Sequence, residues 1–449
     1  MDEKQVYGLT PAQSVVHLQG RLSMHKNVYN IMATLTVDED LDFELMKKAF
    51  NIVAERNDCL RVSFTKKGKD LFQSFDDKRE YNNIPVLKFD NEKDQEEYLT
   101  KSTNKVVGFL KGNVVEPVFI KTFDGKSLIV LKVCHLVLDI YGTNIIYKDL
   151  FDVYNALKEG KELPPAPTSF EAMIQADLKK QADPSYYQKN KEFFEQYFSS
   201  RENPYYAGVH GKDEPIWQKQ LKKGRHAMKL FLFSNQTQGY AHKIEKPLVD
   251  KAFEFCKEKG ITPANFLFFC ACVTLSKMND NVKNMLPMEL CNCRGTLSTK
   301  KGAGTKAQSV LCYTSIDYEK NFEENLMKFC NDQNELYRHV GFNDMEVQKM
   351  LHDYYQSSFL EVYYGFTYSF IPVMFPKGSK FMVRSNGHGA LPCYVAQLYS
   401  IEDGDITMAY DAQSKINKEE DVARFHKNYL KVLEDVIANP QTNLKNIKF

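Results

Sequence analysis

The stretch from Leu128 to Phe151 constrains the fold more than any other part of the sequence. Its first half, Leu128–Cys134, is a nearly continuous apolar run, which is typical of a strand buried on both faces of a sheet. Its second half has apolar side chains at helical spacing, and a Thr–Asn pair near its start can cap the helix. His135 therefore lies where a buried strand leaves the sheet, and Asp139 lies in the turn before the helix. Such a junction holds an imidazole rigidly while the turn leaves it open to a ligand.

A second patterned segment precedes this stretch. Asp42–Ala54 carries apolar side chains on one face of a helix and runs directly into the residues from Arg56 to Phe64. By its pattern alone, the segment is a helix end that enters a strand. The combination of a helix and a strand is repeated throughout the rest of the chain.

Strands and helices alternate along both halves of the sequence, which predicts an α/β protein. At 449 residues the chain exceeds one typical domain, so two lobes are expected. A proline-rich linker follows the helix that ends near Gly160 and places the boundary near residue 170. The expected division is an N-terminal lobe of residues 1–170, which carries the His135 motif, and a C-terminal lobe of residues 171–449 with loops that bridge the lobes.

These motifs together resemble the condensation domains of nonribosomal peptide synthetases, which belong to a superfamily of acyltransferases like chloramphenicol acetyltransferase. The family signature His-His-x-x-x-Asp-Gly stands here as Cys134-His135-Leu-Val-Leu-Asp139-Ile140. Leu9–Gln13 and Arg56–Phe64 are similar to two further family motifs and follow in the family's order. The resemblance covers almost the whole chain. It implies two chloramphenicol acetyltransferase-like lobes that form a V-shaped pseudo-dimer with a central tunnel.

The resemblance also implies roles for individual residues. His135 is expected to act as the general base, or as the group that orients the nucleophile and stabilises the tetrahedral intermediate. Asp139 is expected to be structural and to pair with Arg294, which matches the family's arginine by position, because a buried carboxylate needs such a partner. Gly142 lies in the same turn and is counted with the structural residues of the site.

Two departures from the family signature leave a second interpretation open. Consecutive strand residues point to opposite faces, so Cys134 and His135 are not expected to form a catalytic pair, and the thiol is expected to fill space. Ile140 replaces a glycine that would let the backbone turn and the substrate approach closely. Either the substrates differ from those of the family, or the site is degenerate and the chain is a carrier-docking or interaction module.

Charge and composition argue against several other functions. The net charge of +1 gives no electrostatic case for nucleic acid or an anionic membrane. The longest apolar run, 266–275, is too short to span a bilayer, and the charged N-terminus predicts no signal peptide, hence a cytoplasmic protein. The ten cysteines contain no Cys-x-x-Cys pair, so we expect neither a metal site nor a tightly bound cofactor.

Three lysines surround two glycines in the loop that follows Arg294. Lys300, Lys301 and Lys306 could hold the phosphate of pantetheine or coenzyme A, but their spacing fits no phosphate-loop motif. A solvated surface loop is the other interpretation.

The expected function is that of a free-standing acyltransferase of the condensation type. It would take an acyl or aminoacyl group from a phosphopantetheine thioester on a carrier protein, or from a coenzyme A thioester. An amine acceptor would give an amide and a hydroxyl acceptor an ester. The expected partners are an acyl or peptidyl carrier protein and a small amine or alcohol, and the chain is expected to be a monomer.

Overall fold

The computed structural model of the chain describes residues 5–110, 112–229, 236–389 and 391–449, so the charged residues 1–4 that entered the signal-peptide argument lie outside the described residues. The α-helices are α1 (Pro11–Leu22), α2 (Phe43–Arg56), α3 (Glu92–Asn104), α4 (Ile140–Glu159), α5 (Phe170–Gln181), α6 (Pro184–Ser199), α7 (Pro215–Leu221), α8 (Lys246–Lys259), α9 (Pro263–Met278), α10 (Leu297–Lys300), α11 (Phe322–Leu336), α12 (Asp344–Tyr354) and α13 (Glu419–Ala438). The strands are β1 (Asn30–Val37), β2 (Val62–Lys67), β3 (Asp70–Phe75), β4 (Val86–Lys88), β5 (Val115–Lys121), β6 (Ser127–Cys134), β7 (Ala207–Gly208), β8 (Met228–Lys229), β9 (Thr237–Ile244), β10 (Asn284–Met285), β11 (Met288–Cys291), β12 (Gln308–Leu311), β13 (Thr314–Ser315), β14 (Glu361–Val362), β15 (Tyr364–Gly365), β16 (Thr367–Val373), β17 (Lys380–Arg384), β18 (Cys393–Ser400) and β19 (Ile406–Gln413).

The chain forms two compact units, and each contains a sheet with helices, as expected for an α/β protein. The first unit consists of the chain up to Tyr187 with two later segments, Asn292–Ala307 and Val373–Gly387. The second unit consists of Gln188–Cys291, Gln308–Pro372 and His388–Phe449. The division after Tyr187 differs from the boundary near residue 170 that the proline-rich linker suggested. The two later segments also return to the first unit, although a single boundary near residue 170 assigns them to the C-terminal lobe.

Helix α5 stays with the first unit because both of its ends are anchored there. The carboxylate of Asp58 accepts hydrogen bonds from the amides of Phe170 and Glu171, at 2.7 and 3.0 Å, which caps the start of the helix. Further along, Asp177 forms an ion pair with Lys306 at 2.5 Å. Neither contact is visible in a hydrophobic pattern, which explains why the linker at 164–167 looked like the boundary.

The five-stranded sheet of the first unit positions the motif. Its strand order is β17-β1-β6-β5-β4, and β6 is buried along its whole length, which confirms the strand predicted from the apolar run. Strands β1 and β6 are antiparallel, with Asn30 opposite Cys134. Strand β17 was not predicted, and it pairs with β1 from a distant part of the sequence. Such long-range pairing leaves no local signal beyond a short alternation.

Helix α4 returns over the sheet after the turn that contains Asp139. Its cap is Asp139, whose Oδ1 accepts from the amide of Gly142 at 2.6 Å, and not the Thr–Asn pair, because the helix already begins at Ile140. Deeper in the unit, the Tyr147 hydroxyl donates to the Ala33 carbonyl at 2.8 Å. This hydrogen bond connects the middle of α4 to the backbone of β1.

The second unit contains a six-stranded sheet of order β12-β11-β16-β18-β19-β9. Strands β18 and β19 form the hairpin predicted around Gly404, which has a φ of 80°. Helix α9 is buried over most of its length, as its apolar surface predicted, and α13 packs against it. Among the described residues, no single helix is long and apolar enough to cross a membrane, and only the bent pair α8 and α9 meets that test when taken together.

Candidate active site

His135 directly follows β6, and hydrogen bonds hold its backbone region at three points. Its amide donates to the carbonyl of Tyr29 at 2.6 Å, which extends the pairing of β1 and β6 by one residue. The hydroxyl of Thr305 donates to the carbonyl of His135 at 2.6 Å. The side-chain amide of Gln13 donates to the carbonyl of Leu136 at 2.8 Å. Three separate parts of the first unit therefore fix the backbone from which the imidazole extends.

The imidazole of His135 is only partly exposed to solvent. Its Nδ1 atom is enclosed and has no hydrogen-bond partner of ordinary geometry among the described residues. Burial lowers the pKa of His135, while its own backbone, the charge of Asp139 and the backbone of Leu138 act to raise it. The net pKa lies below the ordinary value of about 6.5, so the imidazole is neutral at neutral pH. A neutral imidazole is able to accept a proton, as a general base must.

Asp139 and Arg294 form the buried ion pair that the resemblance to condensation domains implied. Nη1 and Nη2 of Arg294 lie 2.9 and 3.2 Å from the two carboxylate oxygens, in a bidentate arrangement. Both residues are 2% exposed. Burial acts to raise the pKa of Asp139, but the charge of Arg294 and hydrogen bonds from Arg294, Gly142 and Lys306 outweigh it, so the pKa lies below its usual value. The carboxylate is therefore ionised and fully engaged.

The same ion pair organises the segment Asn292–Ala307. Nη2 of Arg294 also donates to the carbonyl of Gly304 at 2.6 Å. In the opposite direction, the backbone amide of Lys306 donates to Asp139 at 2.9 Å. The ion pair thus connects the start of α4 to the segment Asn292–Ala307. Thr305 of this segment donates the hydrogen bond to the carbonyl of His135. Asp139 supports the candidate base through this segment rather than by direct contact.

Gly142 lies where this segment presses against α4. A Cβ atom at Gly142 would be 2.7 and 2.8 Å from the carbonyl oxygen and nitrogen of Gly304, and 3.1 Å from Cδ2 of Leu138. Distances this short between a Cβ and backbone atoms require the backbone to move. The absence of a side chain at Gly142 is what allows the two backbones to meet.

The two departures from the family signature have different surroundings. Cys134 is 0% exposed, and burial raises the pKa of its thiol to about 12, so the sulfur is neutral and a poor nucleophile. Ile140 is the first residue of α4 and is partly exposed. Because its φ is not positive, the backbone there does not require glycine. Ile140 therefore adds a side chain at the start of α4 without strain in the backbone.

The segment Arg56–Phe64 also contacts α4. Nη2 of Arg56 donates to the carbonyls of Pro164 and Pro165 at 2.6 and 2.7 Å, and its Nε lies 3.4 Å from the carboxylate of Asp149. These contacts join α2, α4 and the proline-rich linker. They support the structural interpretation of this motif.

The loop lysines divide into two kinds. Lys306 is buried and engaged by Asp177, so the structure contradicts its suggested role in holding a phosphate. Lys300 and Lys301 are exposed on the surface of the same segment. Within the described ranges, no group of three or more His, Cys, Asp or Glu side chains is placed to hold a metal ion.

The family model of the condensation domain matches residues 3–354, which is more than half of the chain. This chain belongs to the condensation domain family. Condensation domains are acyltransferases of nonribosomal peptide synthesis, and the fold agrees with that assignment. The starter condensation domain of rhizomide synthetase RzmA, a mutant solved in complex with C8-CoA and Leu-SNAC, superposes with a TM-score of 0.81 at 14% identity, over 99% of this chain and 97% of that one. The condensation domain of Monacolin K polyketide synthase MokA gives 0.80 at 14% identity, over 98% of this chain and 99% of that one.

Curated relatives of this condensation domain are much longer proteins. Gramicidin S synthase 2 of Brevibacillus brevis is 26% identical over 168 residues, which are 36% of this chain and 4% of the relative. A plipastatin synthase polypeptide of Bacillus subtilis (strain 168) is 18% identical over 467 aligned positions, which cover 99% of this chain and 17% of the relative. This condensation domain therefore spans a small fraction of the length of these synthases.

The structure brings together several of the residues that the sequence predicted for the candidate site. The first unit holds His135, Asp139, Arg294, Gly142 and Ile140 in one continuous arrangement of turn, helix and loop. Thr305 was missed, although its hydroxyl contacts the backbone of the histidine. No sequence pattern identifies a single threonine in a glycine-rich loop as a support of the site. The position of Thr305 depends on the ion pair that shapes the loop.

Proposed function

We propose that this condensation domain transfers an acyl or aminoacyl group from a thioester to an amine or a hydroxyl. The donor would be a phosphopantetheine thioester on a carrier protein or a coenzyme A thioester, which acts as a co-substrate rather than as a tightly bound cofactor. The observation that carries the proposal is the partly exposed imidazole of His135, which extends from a backbone held at three points. The rhizomide synthetase domain that was solved with C8-CoA supports a thioester donor of this kind.

In the proposed reaction, His135 takes the proton of the amine or alcohol as that nucleophile attacks the thioester carbonyl. The resulting tetrahedral intermediate carries a negative oxygen. Its collapse re-forms the carbonyl and breaks the carbon–sulfur bond, and the imidazolium returns the proton to the departing thiolate. The products are an amide or ester and a free thiol. One neutral imidazole suffices because a thioester is already an activated acyl group.

Asp139 acts in this proposal as a positioning residue. Both of its oxygens are engaged by Arg294 and by backbone amides, so its charge is neutralised within the turn. Its contribution would be to keep the turn and the adjoining segment in place while the proton moves. Cys134 would contribute only packing.

A second candidate function is that of a carrier-docking module without turnover. The observation that favours it is Ile140, a partly exposed branched residue that stands where the family signature has glycine. In either case we propose a monomer that works in the cytoplasm with an acyl or peptidyl carrier protein. The two candidates differ in whether the thioester is consumed.

Release of free thiol from octanoyl-coenzyme A and from octanoyl carrier protein separates them, with a panel of amines and alcohols as acceptors. We expect turnover that His135→Ala lowers by about 10²–10⁴-fold, because one general acid–base contribution is removed. Cys134→Ala serves as the matched control and should retain most activity. Equal turnover by the parent and His135→Ala would falsify the catalytic role, and carrier binding without any turnover would favour the docking module.

A further inference from the structure

The side-chain amide of Asn144 lacks a hydrogen-bond partner at both ends. Asn144 is 9% exposed, and its Oδ1 and Nδ2 atoms are enclosed without a partner among the described residues. Gln95 and Arg384, which lie elsewhere in the described part of the first unit, each lack a partner at a single atom only. A wholly unpaired buried amide is costly and calls for a physical explanation.

The position of Asn144 follows from that of Tyr147, one turn further along α4. The Tyr147 hydroxyl accepts from the amide of Leu131 at 3.2 Å, which fixes it over the middle of β6. Three residues of an α-helix span about 4.5 Å along the helix axis. This length equals that of between one and two residues of a β-strand. Because α4 begins at Ile140, after the turn that follows β6, Asn144 is displaced from Tyr147 towards the start of the helix and so towards the turn that carries His135.

His135 lies in the turn that directly follows β6, and Asn144 lies in the second turn of the helix that follows. Ile140 precedes Asn144 by four residues and shares its face of α4. The unpaired amide therefore lies on the same helix face as Ile140, which begins the helix directly after the turn that carries His135.

We propose that Asn144 contacts the substrate and hydrogen-bonds an amide group of the thioester donor. A secondary amide presents one donor and one acceptor, which matches the unpaired Oδ1 and Nδ2 atoms. The pantetheine arm carries such an amide only a few bonds from the thioester carbonyl, and Asn144 lies near the start of the helix that follows the turn carrying His135. This inference rests on the proposed function, since it requires a thioester beside His135.

The test replaces the amide with an apolar side chain of similar size, Asn144→Leu. We expect the affinity for octanoyl-pantetheine to fall about 5- to 10-fold, because a neutral hydrogen bond is lost. The affinity for the octanoyl thioester of an ether thiol, which has no amide, should not change. The melting temperature should stay constant or rise, because an unpaired polar group is removed from the interior. Asn155→Leu, on the exposed side of the same helix, is the control and should leave both affinities unchanged.

Three outcomes would overturn the inference. A lower melting temperature with unchanged affinity would mean that the amide is paired within the protein. An equal loss of affinity for both thioesters would mean that leucine only blocks space. If the parent chain did not measurably bind octanoyl-pantetheine, this thioester could not be the ligand of Asn144. Because binding needs no turnover, a selective loss in Asn144→Leu would uphold the inference even if acyl transfer were not detected.

Discussion

Asp139→Ala should be the most destabilising single change at the candidate site. It leaves the guanidinium of Arg294 without a carboxylate, and the side chains of the pair are 0% and 3% exposed for Arg294 and Asp139. Removing one partner of a buried ion pair costs about 3–5 kcal/mol. The change also removes the cap of α4, which is worth about 0.5–2 kcal/mol. Since the two effects share one carboxylate and do not add fully, we expect a loss of about 4–5 kcal/mol in the free energy of unfolding.

Urea-induced unfolding at neutral pH, followed by far-ultraviolet circular dichroism, measures this loss. The matched control is Asp152→Ala, which breaks an exposed pair with Lys148 on the same helix. Exposed pairs of this kind contribute about 0–1 kcal/mol, so the control should remain close to the parent. His135→Ala should also be milder than Asp139→Ala, because it leaves no buried charge unpaired.

A double variant separates the lost charge pair from the lost cap. Asp139→Leu combined with Arg294→Met removes both charges, and should recover most of the stability that Asp139→Ala loses. The contributions of the cap and of the hydrogen bonds that the pair makes with the backbone of Gly304 and Lys306 should then remain missing. If Asp139→Ala cost no more than Asp152→Ala, the reasoning that makes this pair the main support of the turn would be refuted.

The remaining predictions concern the support of His135 and the effect of acid. Thr305→Val removes the hydroxyl that donates to the carbonyl of His135, and should lower kcat about 10-fold, whereas Thr305→Ser should restore it. Gly142→Ala should lower the free energy of unfolding by about 1–3 kcal/mol, because its Cβ would meet the backbone of the adjoining segment. Because the pKa of His135 is lowered, kcat/KM should stay constant down to pH values below about 6.5 before it falls. Burial lowers the pKa of His210 to about 4, so acid should destabilise the fold between about pH 6.5 and pH 4, where the unfolded chain binds the proton more readily.

Each of these predictions has an outcome that contradicts it. Equal kcat in Thr305→Val and Thr305→Ser would show that the hydroxyl does not position the histidine. Gly295→Ala is the control for Gly142→Ala, because nothing lies near its Cβ, and equal losses in both would argue against the close backbone contact. An acid limb of kcat/KM above pH 6.5 would assign the titration to another group. Replacing His210 with Gln should flatten the acid dependence of stability, and an unchanged dependence would remove His210 as its cause.

Local sequence patterns were sufficient for the centre of the candidate site. The apolar run before His135 and the helical spacing after Asp139 predicted the strand, turn and helix, because each depends on side chains within a few residues. The ion pair with Arg294 was expected only from the resemblance to condensation domains. Burial then makes the pairing physically necessary, since a carboxylate that is 2% exposed requires a compensating charge.

The features that the sequence did not predict depend on contacts between distant segments. The boundary was placed too early because Asp58 and Lys306 anchor α5 from far away in the chain. Strand β17 pairs with β1 for a similar reason, and its own five residues carry little periodicity. Patterns report which face of an element is buried, and they do not report which partner buries it.

This distinction also explains why the site combines a local motif with distant supports. His135 and Asp139 come from one strand–turn–helix unit, but the bonds that fix the histidine backbone come from Gln13, Tyr29 and Thr305. A substitution at any of these supports would move the imidazole without changing the motif itself. Under the proposed function, the absence of the first histidine and of the glycine of the family signature should therefore matter less for activity than the loss of these supports. Under the same proposal, activity requires that a thioester fits beside the imidazole in the presence of Ile140.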